Sequence, residues 1–178
     1  MIPKSKEDKI LSYFKDEYTI DFLGLKDEFS EKNLQKAIVN NLKHFFLEFG
    51  RHFTFIGEEY KITVGGEDYK VDMLFYHRIL QCMVAVELKI GDFKPEYASK
   101  MQFYLSALDE KEKLGHENPS VGLILCKSKN EEVVRIAVSK LVSPLKVAAY
   151  KTKLIDQKLL KAKLHSLPGP EDIKEDWI

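Results

Sequence analysis

Residues 81–89, Gln-Cys-Met-Val-Ala-Val-Glu-Leu-Lys, constrain the fold more than any other stretch of this chain. Cys82 to Val86 are apolar without alternation. A strand of this kind has no face for water and must lie inside a sheet covered on both sides. "VGLILCK" (121–127) has the same character. The two runs together demand helical layers above and below a common sheet. The first run then ends in opposite charges. Glu87 and Lys89 stand two residues apart and therefore on one face. They are either a solvated strand end or a pair facing something that needs both signs.

The flanking sequence supplies the layers. A short helix is expected over 5–17, then an irregular apolar arm over 18–29. Ser30 can cap a long helix over about 31–49, where Leu34, Ile38, Leu42, Phe45 and Phe49 recur at helical spacing. Gly50 is its expected C-cap. Strands follow at 53–64, 69–77 and 81–89, the first two joined by a turn at "GGED" (65–68). Pro95 suits the first turn of a helix reaching about Leu114. A strand at 121–127, a helix over 130–142 capped by Asn130, a strand at 145–150 and a short basic helix over 156–165 complete the chain. The order αβββαβαβ predicts an α/β fold: a mixed central sheet with helices on both faces. At 178 residues the chain suffices for one sizeable domain with an appendage. The expected division is an N-terminal helix and arm over 1–29, a main domain over 30–152, and a C-terminal helix and tail over 153–178.

Charge and motif content exclude several function classes. With 28 basic and 28 acidic residues the chain is neutral overall, so global charge names no partner. Lys127 to Lys163 hold ten Lys/Arg against three acids, a local excess that suits a polyanion or a solvated helix face equally well. Cys82 and Cys126 sit in apolar runs and read as small core residues of a reducing compartment. Residues 1–20 contain no apolar signal core, and no stretch is apolar enough to span a membrane, so a cytoplasmic location is expected. There is no phosphate-binding P-loop, hence no expected nucleotide cofactor. Ser30, Ser99 and Ser106 lack a nucleophile-elbow setting. His44, His52, His77, His116 and His165 lack ligand spacing and read as non-metal residues.

Antiparallel pairing about a turn at Arg78–Gln81 would set Asp72 opposite Glu87, with Cβ atoms about 5 Å apart. Ile79-Leu80 is poor chemistry for a tight turn, but a small change of register leaves the acids neighbours. Asp is depleted in strands, which makes Asp72 hard to dismiss. Two adjacent carboxylates repel unless a shared proton, a cation or a metal intervenes. An Asp and a Glu with waters suit Mg²⁺ or Mn²⁺. Lys89 beside such an ion could hold or polarise a water, a device for attacking a phosphodiester.

An aspartate, fourteen intervening residues and then Glu-Leu-Lys on a hairpin, with a helix before and a helix and strand after, resembles the PD-(D/E)xK nuclease superfamily. The phrases "ELKIGDFKPEYA" and "NPSVGLILCKSKN" resemble the C-terminal nuclease domain of YhcG-type proteins, over roughly residues 18 to 152. The resemblance implies a restriction-endonuclease-like fold and a Mg²⁺- or Mn²⁺-dependent endonuclease acting on DNA, in recombination, repair or defence against mobile DNA. It puts the metal aspartate on Asp72, the second ligand on Glu87 and the catalytic lysine on Lys89. "KVD" stands where the superfamily motif has "PD". Relatives tend to carry glutamates near positions 33 and 35, where this chain has Asn33 and Gln35. Glu31 is then the nearest helix acid for the metal, and Glu48 the lesser option. Superfamily members often use a polar residue on the following helix to touch a phosphate or water. Gln102 fits that role, and Tyr104, which diverges from it on the helix, packs. Lys100 is a candidate contact to the DNA backbone, with Lys94 and Tyr97 flanking the site. Members usually carry a separate winged-helix-like domain, so a fragment or a lone nuclease module is expected, with homodimer formation left open. The competing reading is a weak or inactive nuclease fold that binds nucleic acid or a partner protein. A two-carboxylate glycosidase ranks third, because Lys89 would fill the space a sugar needs.

Overall fold

The structure is a computed structural model that describes residues 4–20 and 29–151. The elements are α1 (Lys4–Leu11), β1 (Glu17–Thr19), α2 (Glu31–Asn40), α3 (Leu42–Phe49), β2 (Phe53–Val64), β3 (Glu67–His77), β4 (Cys82–Leu88), α4 (Pro95–Lys111), β5 (Val121–Cys126), α5 (Glu131–Val138) and β6 (Leu145–Lys151). The strands form one mixed sheet in the order β1-β6-β5-β4-β3-β2. β2, β3 and β4 run antiparallel to one another, whereas β4, β5, β6 and β1 are parallel neighbours.

Both faces are covered, as the unalternating runs require. α2 and α3 bring Leu34, Ile38, Phe45 and Phe49 to one face, over Phe75, Val84, Val86 and Leu123. α4 brings Ala98, Met101, Leu105 and Leu108 to the other, over Leu74, Ala85, Ile124 and Val147. α4 crosses β5 closely at Gly122, where a Cβ would stand 2.7 Å from Met101 Cγ.

Four sequence expectations are corrected. The helix over 5–17 stops at Leu11, and Glu17 already belongs to a strand. The helix over 31–49 is two helices. Asn41 leaves helical geometry (φ −118°, ψ 30°), and its Nδ2 donates to the Ala37 carbonyl at 2.9 Å, competing with the backbone ladder. The arm over 18–29 begins as a strand, because Glu17–Thr19 pairs with β6 and Tyr18, buried, stacks on Phe49 at 4.4 Å. Helix 130–142 stops at Val138, where the Ser139 hydroxyl donates to the Ile136 carbonyl at 2.8 Å. The basic helix expected at 156–165 lies outside the described residues. No helix among the described residues is long and apolar enough to cross a membrane.

The β3–β4 register is the one the turn at Arg78–Gln81 implies, with His77 opposite Cys82 and Met73 opposite Val86. Its poor turn chemistry is compensated from outside. Gln81 takes a left-handed φ of 49°. His77 Nδ1 accepts the Leu80 N–H at 3.1 Å, and Asn118 donates to the carbonyls of Leu80 and Gln81.

Candidate active site

The strand ladders lapse on both sides of Asp72. Pairing with β4 stops at Met73–Val86, one step short. On the β2 side, Glu58–Met73 and Tyr60–Val71 flank Glu59, which takes a left-handed φ of 44°. Asp72 is held by other groups. Its carbonyl accepts from Gln35 Nε2 at 2.7 Å, and its Oδ2 accepts the Leu88 N–H at 2.8 Å. Helix α2 and the end of β4 thus fix it from two directions. Strand alternation breaks at Asp72, since Val71 and Leu74 both pack under α4, but the Leu88 N–H on Asp72 Oδ2 and the charge of Asp72 felt by Glu87 place the two acids beside each other.

Glu87 is 2% exposed. Its Oε2 takes Lys100 Nζ at 3.2 Å and Lys89 Nζ at 3.5 Å. Its Oε1 is buried and has no hydrogen-bond partner among the described residues. Lys89 is pinned through its backbone: its N–H donates to the Leu125 carbonyl at 2.8 Å, and its carbonyl accepts from the Tyr150 hydroxyl at 3.2 Å. Its ammonium also meets Glu31 Oε2 at 3.2 Å and stands 5.3 Å from the centre of the Tyr97 ring. Glu31 reaches this point because the helix starts there. Ser30 caps α2 in a reciprocal box with Asn33, which makes Glu31 the first helical residue.

Burial pushes the Asp72 carboxyl above its ordinary value, against the Leu88 N–H and the two lysines that favour its charge. Burial and the neighbouring Asp72 charge push Glu87 up as well. For Lys89, burial pulls downward, but Glu87, Glu31 and Asp72 outweigh it and the ammonium titrates above its ordinary value. Lys100 behaves in the same way, with Glu87 the main opposing charge. The cluster holds three carboxylates against two ammonium groups, and both ammonium groups lie on one oxygen of Glu87.

The YhcG PDDEXK nuclease domain matches residues 11–165 of this chain. The putative nuclease YhcG of Escherichia coli (strain K12) is 37% identical over 150 residues, 84% of this chain and 40% of that protein. The chain belongs to the YhcG PDDEXK nuclease domain family. It spans about two fifths of the length of that relative. Among solved structures, a repair endonuclease from Pyrococcus abyssi is similar at a TM-score of 0.46 and 20% identity, over 72% of this chain and 48% of that one. A complex of EndoMS with double-stranded DNA is similar at a TM-score of 0.48 and 16% identity, over 72% and 50%. The architecture, a mixed six-stranded sheet with helices on both faces, is the α/β, restriction-endonuclease-like fold of the PDDEXK nuclease domain family the chain belongs to.

Within this family fold, Asp72, Glu87, Lys89 and Glu31 come together at the end of β4, Glu31 by way of Lys89. Gln102 is engaged elsewhere. Its Oε1 accepts the N–H groups of Val142 and Ser143, and its Nε2 donates to the hydroxyls of Ser106 and Ser143, so it ties α4 to the segment before β6. Glu48 accepts the Thr19 N–H and pairs with Lys15, which places it at β1. Tyr104 is buried under Lys100, whose ammonium lies 5.1 Å from its ring centre. His77 is a core residue, with burial pushing its imidazole down to about 4.

Two roles escaped the sequence reading. Gln35, noted there only as a missing acid, holds the Asp72 carbonyl. Lys100 supplies the second cation of Glu87. The latter left a trace: Tyr97, Lys100 and Tyr104 recur at helical spacing and share one face of α4.

Among the described residues, no three His, Cys, Asp or Glu side chains form a ready-made metal cage. The donor set still fits a hard cation. It offers two neighbouring carboxylates and one buried carboxylate oxygen without a partner, and Mg²⁺ commonly takes one or two protein carboxylates and keeps several waters.

Proposed function

We propose that this chain is a divalent-metal-dependent endonuclease that hydrolyses phosphodiester bonds in DNA, with Mg²⁺ or Mn²⁺ held by Asp72 and Glu87. The observation that supports it most is Glu87 Oε1. A buried carboxylate oxygen without a donor is costly, and fold stability alone gives no reason to keep it beside Asp72.

An ion bound there would activate a water and absorb charge on the phosphate oxygens. The side chains set the rest. Lys89 is held protonated by Glu87 and Glu31, so it acts as a donor and a charge, not as a base. It orients the attacking water and offsets the negative charge that grows on the phosphate. Glu31 fixes the direction of that ammonium from the helix start. The Gln35 and Leu88 hydrogen bonds hold Asp72 before substrate arrives, which lowers the ordering cost in the transition state.

The test is cleavage of supercoiled plasmid with Mg²⁺ or Mn²⁺, beside Mn²⁺ binding by calorimetry. Asp72→Ala should abolish both. Lys89→Ala should keep metal binding and lower cleavage about a hundredfold or more. Wild type that cuts neither DNA nor RNA with either ion refutes the enzyme, and DNA binding without cleavage would then assign the chain as a binding module.

A further inference from the structure

We infer that Lys100 is an exchangeable cation: it neutralises Glu87 while the site is empty and passes to the substrate phosphate once a divalent ion takes that carboxylate. This rests on the nuclease reading above and adds a residue to it. Glu87 Oε2 is crowded and Oε1 bare. The two ammonium groups lie 3.2 Å and 3.5 Å from Oε2. A cation arriving between Asp72 and Glu87 meets both positive charges, and one of them must yield.

The two lysines differ in freedom. Lys89 has its N–H and carbonyl bonded to Leu125 and Tyr150, has a second carboxylate in Glu31, and has a side chain only 11% exposed. Lys100 stands on the second turn of α4 with its side chain 49% exposed, and Glu87 is its only carboxylate within ion-pair distance among the described residues. Lys100 is therefore the one that can leave. In the same position the ammonium also lies 5.1 Å from the ring centre of Tyr104, a contact that does not depend on Glu87. A flexible lysine stem can turn from this position to a phosphate oxygen without moving the helix. The exchange balances charge, since the site gains two positive charges from the ion and returns one to the substrate.

The inference is tested by calorimetric Mn²⁺ titration of the DNA-free chain, with Lys100→Ala and with Lys100→Met, which keeps the stem over Tyr104. Removing a competing charge should tighten Mn²⁺ binding about twofold to fivefold in both variants, the range expected for a half-exposed ion pair. A lysine that merely supports the fold would leave metal affinity unchanged or weaken it. Plasmid cleavage at saturating Mn²⁺ should fall about tenfold or more, the scale of losing one phosphate-directed charge. Unchanged or weaker Mn²⁺ binding, or unchanged cleavage, in variants whose wild type binds Mn²⁺ through Asp72 overturns the exchange and leaves the nuclease reading standing. Wild type whose Mn²⁺ binding is absent, or is indifferent to Asp72→Ala, overturns both.

Discussion

Gln35 offers a direct test of how the site is held. Its Nε2 donates to the Asp72 carbonyl at 2.7 Å, and the residue is only 7% exposed. Both neighbouring ladders lapse at Asp72, so this bond stands in for a strand partner. Gln35→Met keeps the volume and removes the donor. The carbonyl is then left unsatisfied at a cost of about 1–3 kcal/mol. At this chain length each kcal/mol moves the melting temperature by about 2–4 °C, so a loss of about 4–8 °C is expected for a mid-range cost. Gln35→Glu sharpens the argument. An ionised carboxylate cannot donate, and it would face a carbonyl at hydrogen-bond distance, so at neutral pH this variant should be less stable than Gln35→Met. Protonation restores a donor, and the order should reverse as pH falls through the titration of the introduced carboxyl. The assay is urea unfolding followed by circular dichroism, with Mn²⁺ titration alongside. Gln35→Met within about 0.5 kcal/mol of wild type, the scale of a neutral surface change, would refute the clamp. So would a Gln35→Glu variant that never regains stability at low pH.

Three further outcomes follow from geometry already given. Gln81→Gly should stabilise the chain by about 0.5–1 kcal/mol, measured by urea midpoint, because the left-handed φ of 49° costs a side chain more than the added freedom of unfolded glycine. Gly122→Ala should destabilise by about 1–3 kcal/mol in the same assay, since its Cβ would meet Met101 at 2.7 Å and Leu145 at 2.8 Å. Burial raises Glu87 above its ordinary 4.5 and Asp72 above 3.8, so the folded chain keeps protons that the unfolded chain has released. Their contribution to stability is therefore greatest at low pH and falls as pH rises through the window above those ordinary values; this fall should be smaller in Glu87→Gln, by unfolding measured across that window.

The sheet was legible because its signals are local and strong. Apolar runs without alternation placed β4 and β5, paired glycines placed the β2–β3 turn, and the position of the Arg78–Gln81 turn set the register that brings Asp72 beside Glu87. β1 was not legible. Three residues carry no period, and Glu17–Thr19 is a strand only because β6 lies beside it. The break at Asn41 was hidden for a related reason: the apolar spacing of Leu34 to Phe49 continues through it, while the competing Asn41 side-chain bond leaves no periodic trace. In the site, Gln102 was assigned by position on the helix after the motif. Position does not decide direction: Gln102 turns to Val142 and Ser143, and Lys100, two residues earlier, turns to Glu87.

That contrast explains why the charges are arranged as they are. The end of β4 must hold two neighbouring carboxylates, and burial raises the cost of both. A structural solution would saturate every oxygen. This chain instead distributes its donors unevenly. Among the described residues, Asp72 Oδ2 takes a backbone N–H, Glu87 Oε2 takes two ammonium groups, and Glu87 Oε1 takes none. The left-handed Glu59 and the lapsed ladders around Asp72 repeat the pattern in the backbone, with pairing given up where the acids stand. Strain and unsatisfied groups of this kind persist where the surrounding structure over-determines them, and they cluster at sites that do chemistry. Here the surroundings are Gln35, Leu88, Leu125 and Tyr150, all bonding through or to the backbone. The frame therefore does not rest on the ammonium groups that face Glu87, as the proposed exchange of charge at this carboxylate requires.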